Sequence, residues 1–247
     1  MRKMFIEKFI LPSAWEEKDY LISGKNTIGM PTRYDGNVPF GIFPKRQIEK
    51  INFGEITLLA GSSNSEKQLL MRIICAKLGF KLLPEGISDR CLSDYLDMCI
   101  IMTPNNSHKK IPFELITKEQ SLDFIKKQYA EIGIRLPKSL PEFYETRITP
   151  KKLYFIEEPE NSMSLQECKE LASLLDDCAK YSGNQFVITT NSPVLLGIKN
   201  AVIYNFDQRV IMDETWYYSK LAARHVKFYK ELVRAHRKGK LKKEKLK

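Results

Sequence analysis

An apolar run, Leu153-Tyr-Phe-Ile, ends in two acidic residues, Glu157 and Glu158. Another, Ile56 to Ala60, leads into Gly61-Ser62-Ser63-Asn64-Ser65-Glu66-Lys67-Gln68. A third, Phe186-Val-Ile-Thr-Thr, ends in Asn191-Ser-Pro. These residue types suit phosphate chemistry. A loop of small residues before a helix lets backbone N–H groups converge on an anion at the positive end of that helix. A lysine in the first turn, here Lys67, adds a point charge for the phosphates. A carboxylate closing a second strand, Glu157, suits Mg²⁺, and the carboxylate after it, Glu158, suits polarising a water. Asn191 supplies a polar group at the end of a third strand.

The phosphate pattern G-x-x-x-x-G-K-[ST] calls for Gly at 66 and Ser or Thr at 68, where this chain has Glu66 and Gln68. A carboxylate at 66 facing a bound phosphate at about 4–5 Å costs at most about 3–4 kcal/mol at an effective dielectric near 20. If the backbone needs positive φ there, Glu costs about 1 kcal/mol more than Gly. Gln68 offers a neutral amide oxygen, a poorer Mg²⁺ ligand than a hydroxyl beside phosphate.

The elements that must position these residues are legible from periodicity. Ile56–Ala60 reads as a buried strand, and Leu69, Leu70, Ile73 and Ile74 lie at helical spacing up to Gly79, a stop signal. Residues 151–206 read as strand, helix, strand, strand. The helix is Leu165–Ala179, with Leu165, Cys168, Leu171, Leu175 and Cys178 on one side. Wholly apolar strands alternating with helices imply a parallel sheet covered on both faces. Met4–Leu11, Phe40–Pro44, Ile48–Phe53 and Met98–Met102 read as further strand material. Residues 13–20 and 215–237 read as helical, the latter with Leu221, Ala222, Phe228, Tyr229, Leu232 and Val233 as a core-facing stripe. Gly24 to Pro44 is rich in turn signals. Thr117–Ile132 has helical spacing through Leu122, Ile125, Tyr129 and Ile132, with Thr117 and Gln120 as a capping box. Pro137, Pro141 and Pro150 mark a loose connection. Asp207 reads as a turn residue.

Length and composition set the frame. The 247 residues, 43% hydrophobic and 28% charged, can bury a full core. The expected organisation is one domain over 1–233, irregular at 81–150, followed by a disordered basic tail at 234–247. That tail holds eight Lys or Arg and one acid, so much of the net charge of +10 sits at one end. Such a tail suits nucleic acid or another anionic partner. Five cysteines without a C-x-x-C pair indicate reduced thiols, with neither zinc nor disulfides. The start lacks the pattern of a secretory signal, and no apolar run is long enough for a transmembrane helix. A cytoplasmic protein without a membrane partner is expected.

The stretches Leu153-Tyr-Phe-Ile-Glu-Glu-Pro-Glu-Asn-Ser-Met-Ser and Gln185-Phe-Val-Ile-Thr-Thr-Asn-Ser-Pro-Val-Leu-Leu resemble the ABC/RecF-type AAA-family ATPases of bacteria. That family has a strand followed by D-E-P-E-N-S-L-S, and a later strand ending T-H-S-P-F-L-L. The resemblance covers roughly 35–235, including Pro39-Phe-Gly-Ile-Phe, Ile56-Thr-Leu-Leu-Ala-Gly and the closing Trp216–Lys230 segment. It implies an α/β, P-loop NTPase-like fold of the ABC/RecF type, a mixed sheet flanked by helices. It implies ATP with Mg²⁺ as cofactors. It places nucleotide binding at Gly61–Gln68, metal at Gln68 and Glu157, and catalysis at Glu158 and Asn191. A homodimer, or a heterodimer with a related ATPase or effector, is likewise implied.

The departures are as informative. Of the mapped catalytic positions only Lys67 and Glu158 are kept. Besides Glu66 and Gln68, Glu157 replaces the Walker B aspartate and Asn191 replaces the switch histidine. The L-S-G-G-Q signature is matched best by Ile116-Thr-Lys-Glu-Gln, with Lys118 and Glu119 for its glycines. The expectation is a degenerate ATPase-like protein whose ATP and Mg²⁺ binding is weak or lost, a pseudo-ATPase serving as a binding or regulatory module. Two alternatives stay open: a divergent active ATPase, and a nucleic-acid-binding accessory protein acting through 234–247.

Overall fold

The computed structural model describes residues 4–22, 39–62, 66–80, 89–104, 110–121, 139–209 and 220–244, with single positions at 123, 211, 213 and 214. In chain order the elements are β1 (Lys8–Ile10), α1 (Ala14–Ile22), α2 (Ile42–Lys45), β2 (Lys50–Asn52), β3 (Ile56–Ala60) and α3 (Glu66–Lys77). Then come α4 (Asp89–Met98), β4 (Ile100–Met102), β5 (Phe113–Ile116), α5 (Leu140–Arg147), β6 (Leu153–Glu157) and α6 (Leu165–Tyr181). The chain closes with β7 (Gln185–Thr190), β8 (Val202–Asn205), β9 (Asp213–Glu214) and α7 (Lys220–Glu244).

The main sheet runs β5-β6-β7-β3-β8-β9, parallel except for β9. Its strands β3, β6 and β7 are buried at every position, as uninterrupted apolar runs require when both faces are covered. Alternate residues serve two cores. Leu59, Leu153, Phe155 and Val187 pack with α3, α4 and the small sheet β2-β1-β4. Leu58, Tyr154, Ile156, Phe186 and Ile188 pack with α5 and α6. Each large side chain so buried contributes about 1.5–3 kcal/mol.

Register brings the carboxyl ends together. Ala60 lies beside Thr190 and Asn205, and Glu157 beside Thr189. Strand β7 therefore stands between the strand that feeds the loop and the strand that ends in the acids. In open parallel sheets this edge is where ligands are held.

Three elements differ from the sequence reading. Phe40–Pro44, expected as strand, contains helix α2, because Gly41 takes φ 72° and turns the chain, its N–H donating to Glu17 Oε2 at 2.7 Å. The loose connection before Pro150 contains α5, where Ser139 caps the helix and Pro141 sits in its first turn, a start signal rather than a break. The tail expected to be disordered from residue 234 is helical to Glu244. The Thr117–Gln120 capping box is present in both directions. Its continuation through Leu122, Ile125, Tyr129 and Ile132 lies outside the described residues, as do residues 23–38 of the turn-rich region and Trp216. All five cysteines are free. No helix among the described residues is long and apolar enough to cross a membrane.

One polar side chain ties the two sheets together. The Gln185 amide oxygen accepts from the N–H groups of Phe5 and Ile6 at 2.9 and 3.0 Å. Its nitrogen donates to Ile6 O and Gly54 O at 2.8 and 3.0 Å. Removing it strands buried backbone groups, each worth about 1–3 kcal/mol. Gln185→Ala is expected to cost about 2–3 kcal/mol and lower the melting temperature by about 4–12 °C. Circular-dichroism melting checks this, and an unchanged midpoint would remove Gln185 from the account of how the small sheet is held.

Candidate functional site

The site is built at the junction of β3 and α3. Gly61 leaves the strand with φ 144°, and a side chain there would meet Asp207 N and Oδ1 at 3.2 Å. This is a close approach that favours glycine. Ser63, Asn64 and Ser65 lie outside the described residues. Helix α3 begins at Glu66 and buries Lys67 in its first turn.

Lys67 is fully buried. Its Nζ donates to Gly61 O at 2.8 Å and to Asn191 Oδ1 at 3.1 Å, and lies 3.1 Å from Glu158 Oε1. Two of its three protons are thus placed on oxygens, and the contact with Glu158 is an ion pair rather than a hydrogen bond. The structure thus gathers Lys67, Glu158 and Asn191, expected separately from three motifs, at one point.

Glu158 arrives there by an unusual backbone. Its φ is 40°, in the left-handed region, which costs a non-glycine residue about 1–2 kcal/mol. The conformation is held by its N–H, which donates to Thr189 O at 2.9 Å, and by Asn161 Nδ2, which donates to its Oε2 at 3.3 Å. Glu160, on the same loop, accepts from Thr190 Oγ1 at 2.9 Å and from Asn191 N at 2.5 Å. The acidic loop and the end of β7 are therefore one hydrogen-bonded unit.

Glu157 is fully buried and faces α3. Arg72 grips it with both arms of the guanidinium, Nε to Oε1 at 2.8 Å and Nη2 to Oε2 at 3.2 Å. A metal at Glu157 would have to displace that cation or sit against it. The partner proposed for it, Gln68, is half-buried and brings no charge. Among the described residues no three His, Cys, Asp or Glu side chains come together to hold a metal ion. In this arrangement both Glu157 oxygens are already held by Arg72.

Two more charges close the loop. Glu66 is paired with Arg46, whose Nε and Nη2 each lie 2.7 Å from Oε2. Its carboxylate is therefore neutralised rather than left beside the anion site, and the repulsion expected from the sequence is reduced accordingly. Asp207, read as a turn residue, does follow β8, but Ser62 donates to its Oδ1 from both N–H, at 2.8 Å, and Oγ, at 2.9 Å. Partial burial would raise that carboxyl, yet the two Ser62 donations outweigh it, and with Arg224 and Lys67 nearby it is held below the usual aspartate value.

Arg46, Arg72 and Asp207 were not singled out by the motifs. Arg72 left one signal, a lone charge inside the apolar stretch Leu69-Leu-Met-Arg-Ile-Ile. A cation on the buried side of a helix needs a buried anion. Asp207 and Arg46 left none, since each is an ordinary polar residue beside a turn.

No protein-family model and no curated protein matches the sequence. Among solved structures, the SMC head domain from Thermotoga maritima is similar at 12% identity with a TM-score of 0.43, over 86% of this chain and 99% of that one. An inward-facing metal-chelate-type ABC transporter is similar at 14% identity with a TM-score of 0.38, over 70% of this chain and 77% of that one. The assignment of a P-loop ATPase-like fold rests on the strand order and the β3–loop–α3 unit, not on these distant likenesses.

Proposed function

We propose that the chain is a P-loop ATPase-like protein whose nucleotide site is closed by its own charges, and that it acts as a binding or regulatory module rather than as an ATP hydrolase. The observation that carries this is the Arg72 fork on Glu157. A buried carboxylate with both oxygens bound to a guanidinium already has its charge met, so a metal there would have to compete with a cation. The pairing of Lys67 with Glu158 and the capping of Ser62 by Asp207 act in the same sense. By resemblance the module would work as a dimer, with a second copy or with a related ATPase or effector.

A second reading draws on the convergence of Lys67, Glu158 and Asn191. It is a divergent ATPase with Lys67 on the phosphates, Glu157 on Mg²⁺ and Glu158 as base, the present contacts being those of an empty site. The two readings part on ligand binding. A ligand at about 100 times its Kd stabilises a protein by about 2.7 kcal/mol, about 5–11 °C for a chain of this size. We expect no shift in melting temperature at millimolar MgATP. A shift of that size, with ATP hydrolysis lost in Glu158→Gln, would establish the second reading and end the first.

A further inference from the structure

Helix α7 is exposed along most of its described length. Residues 223–236 are exposed at every position but His225, which is half-buried. Yet this is not a uniformly polar helix. Val226, Phe228, Tyr229, Leu232 and Val233 are exposed by 39, 55, 52, 54 and 49%. The sequence reading made Phe228 and Tyr229 core residues, and the structure corrects this, since both are exposed and no described residue outside α7 packs over them. At about 100° per residue they fall, with His225, Ala235 and His236, on one half of the helix circumference. Arg224, Lys227, Lys230 and Arg234 occupy the other half, with Glu231 the only acid. The sequence beyond adds Arg237, Lys238, Lys240, Lys242, Lys243, Lys245 and Lys247 against Glu244. Arg224 lies 3.6 Å from Asp207 Oδ2, at the foot of the helix.

We propose that α7 is a surface-binding helix that lies in the headgroup region of an anionic lipid membrane. Three occupants of such a helix can be compared on its own residues. A second copy is a poor match. A helix pair meeting along Val226, Tyr229 and Val233, or along Phe228 and Leu232, would cover only part of the apolar half, and it brings two strongly cationic helices together. Nucleic acid would take the cations and leave five large apolar side chains in water. A groove on a protein reads discrete anchors at spacings of three and four, and each such row here, Val226, Tyr229 and Val233 or Phe228 and Leu232, uses only part of the apolar half.

A lipid surface reads the total apolar area of one half and the total charge of the other, without needing a row of anchors. The apolar half enters the acyl boundary. Long basic side chains at its margins reach back to the headgroups. The helix is about 10–12 Å across, comparable with a Debye length of about 8 Å, so cations on its far side still feel the surface. The expectation of no membrane partner rested on the lack of a spanning segment, which does not bear on a helix lying flat.

The full chain is tested by co-sedimentation with vesicles of phosphatidylcholine alone and of phosphatidylcholine with 30% phosphatidylglycerol, roughly the anionic range this chemistry calls for. Binding to the anionic vesicles is expected to be at least about tenfold stronger. The variant Phe228→Glu/Leu232→Glu should lose it with no change in melting temperature, because both positions are exposed. Lys230→Glu/Arg234→Glu should weaken binding and its dependence on anionic lipid together. Equal or absent binding to the two vesicles overturns the proposal. So does anionic binding that survives Phe228→Glu/Leu232→Glu, which would make the contact a bare charge effect of the chain end. A dimer in sedimentation velocity that this same variant dissolves would assign the face to a second copy. Duplex DNA binding that outcompetes the vesicles would assign it to nucleic acid.

Discussion

Arg72→Ala is expected to lower the melting temperature by about 6–12 °C. Glu157 is fully buried, and Arg72 supplies the hydrogen bonds to both of its oxygens. Removing one member of a buried ion pair leaves a charge in a medium that does not solvate it, a loss of about 3–5 kcal/mol. The Arg72 side chain is itself 18% exposed, so water can reach the vacated space and the lower part of that range applies. For a chain of this length each kcal/mol moves the midpoint by about 2–4 °C. A double-mutant cycle separates the pair from its surroundings. Arg72→Met/Glu157→Gln should recover most of the loss, giving a coupling of about 2 kcal/mol or more. A carboxylate kept for Mg²⁺ predicts the reverse, with Arg72→Ala nearly neutral and Mg²⁺ then stabilising the protein. A midpoint within about 2 °C of the parent would remove the observation on which the proposed function stands.

Lys67→Met should be as costly, for a related reason. In a loop that exists to hold phosphate, the lysine is spared structural duty and its loss is felt when nucleotide is added. Here its ammonium is enclosed by Gly61 O, Asn191 Oδ1 and Glu158 Oε1. Methionine keeps much of the volume but abandons three oxygens, one of them on a carboxylate with only 7% of its side chain exposed. The expected loss is about 3–4 kcal/mol, or about 6–15 °C. Lys67→Met/Glu158→Gln should restore more than half of it, since the stranded charge goes with the lysine. Thermal melts with and without MgATP read both roles at once. A Lys67→Met protein that melts normally but loses a MgATP shift seen in the parent would show that the lysine serves nucleotide rather than fold.

Much of the site's composition was legible before its geometry. The apolar runs at 56–60, 153–156 and 186–188 were unambiguous, because a strand buried on both faces leaves no room for alternation. Gly61, Lys67, Glu158 and Asn191 could be named because each ends or follows one of those runs, and the ends of parallel strands lie along one edge. The same periodicity misread two elements. It took Phe40–Pro44 for strand, where the positive φ of Gly41 starts a helical turn. It took the stripe on α7 for a core face, because a helix carries the same spacing whether a fold or a membrane is to cover it.

What the sequence determined by itself was the set of buried parallel strands, the helices α3 and α6 and the residues at the strands' carboxyl ends, since these follow from local burial pattern and turn chemistry. Only the tertiary structure decided what each charge faces. Lys67 meets Asn191 across 124 positions, Arg72 meets Glu157 across 85 and Ser62 meets Asp207 across 145. Such pairings depend on strand order and register, and on the turn of α3 that points Arg72 toward β6. None of these is encoded at short range. A loop with the wrong residues at 66 and 68 is a weakened phosphate site on paper. In the folded chain the charges that flank it are paired, Glu66 with Arg46 and Glu157 with Arg72, while Asp207 accepts from Ser62.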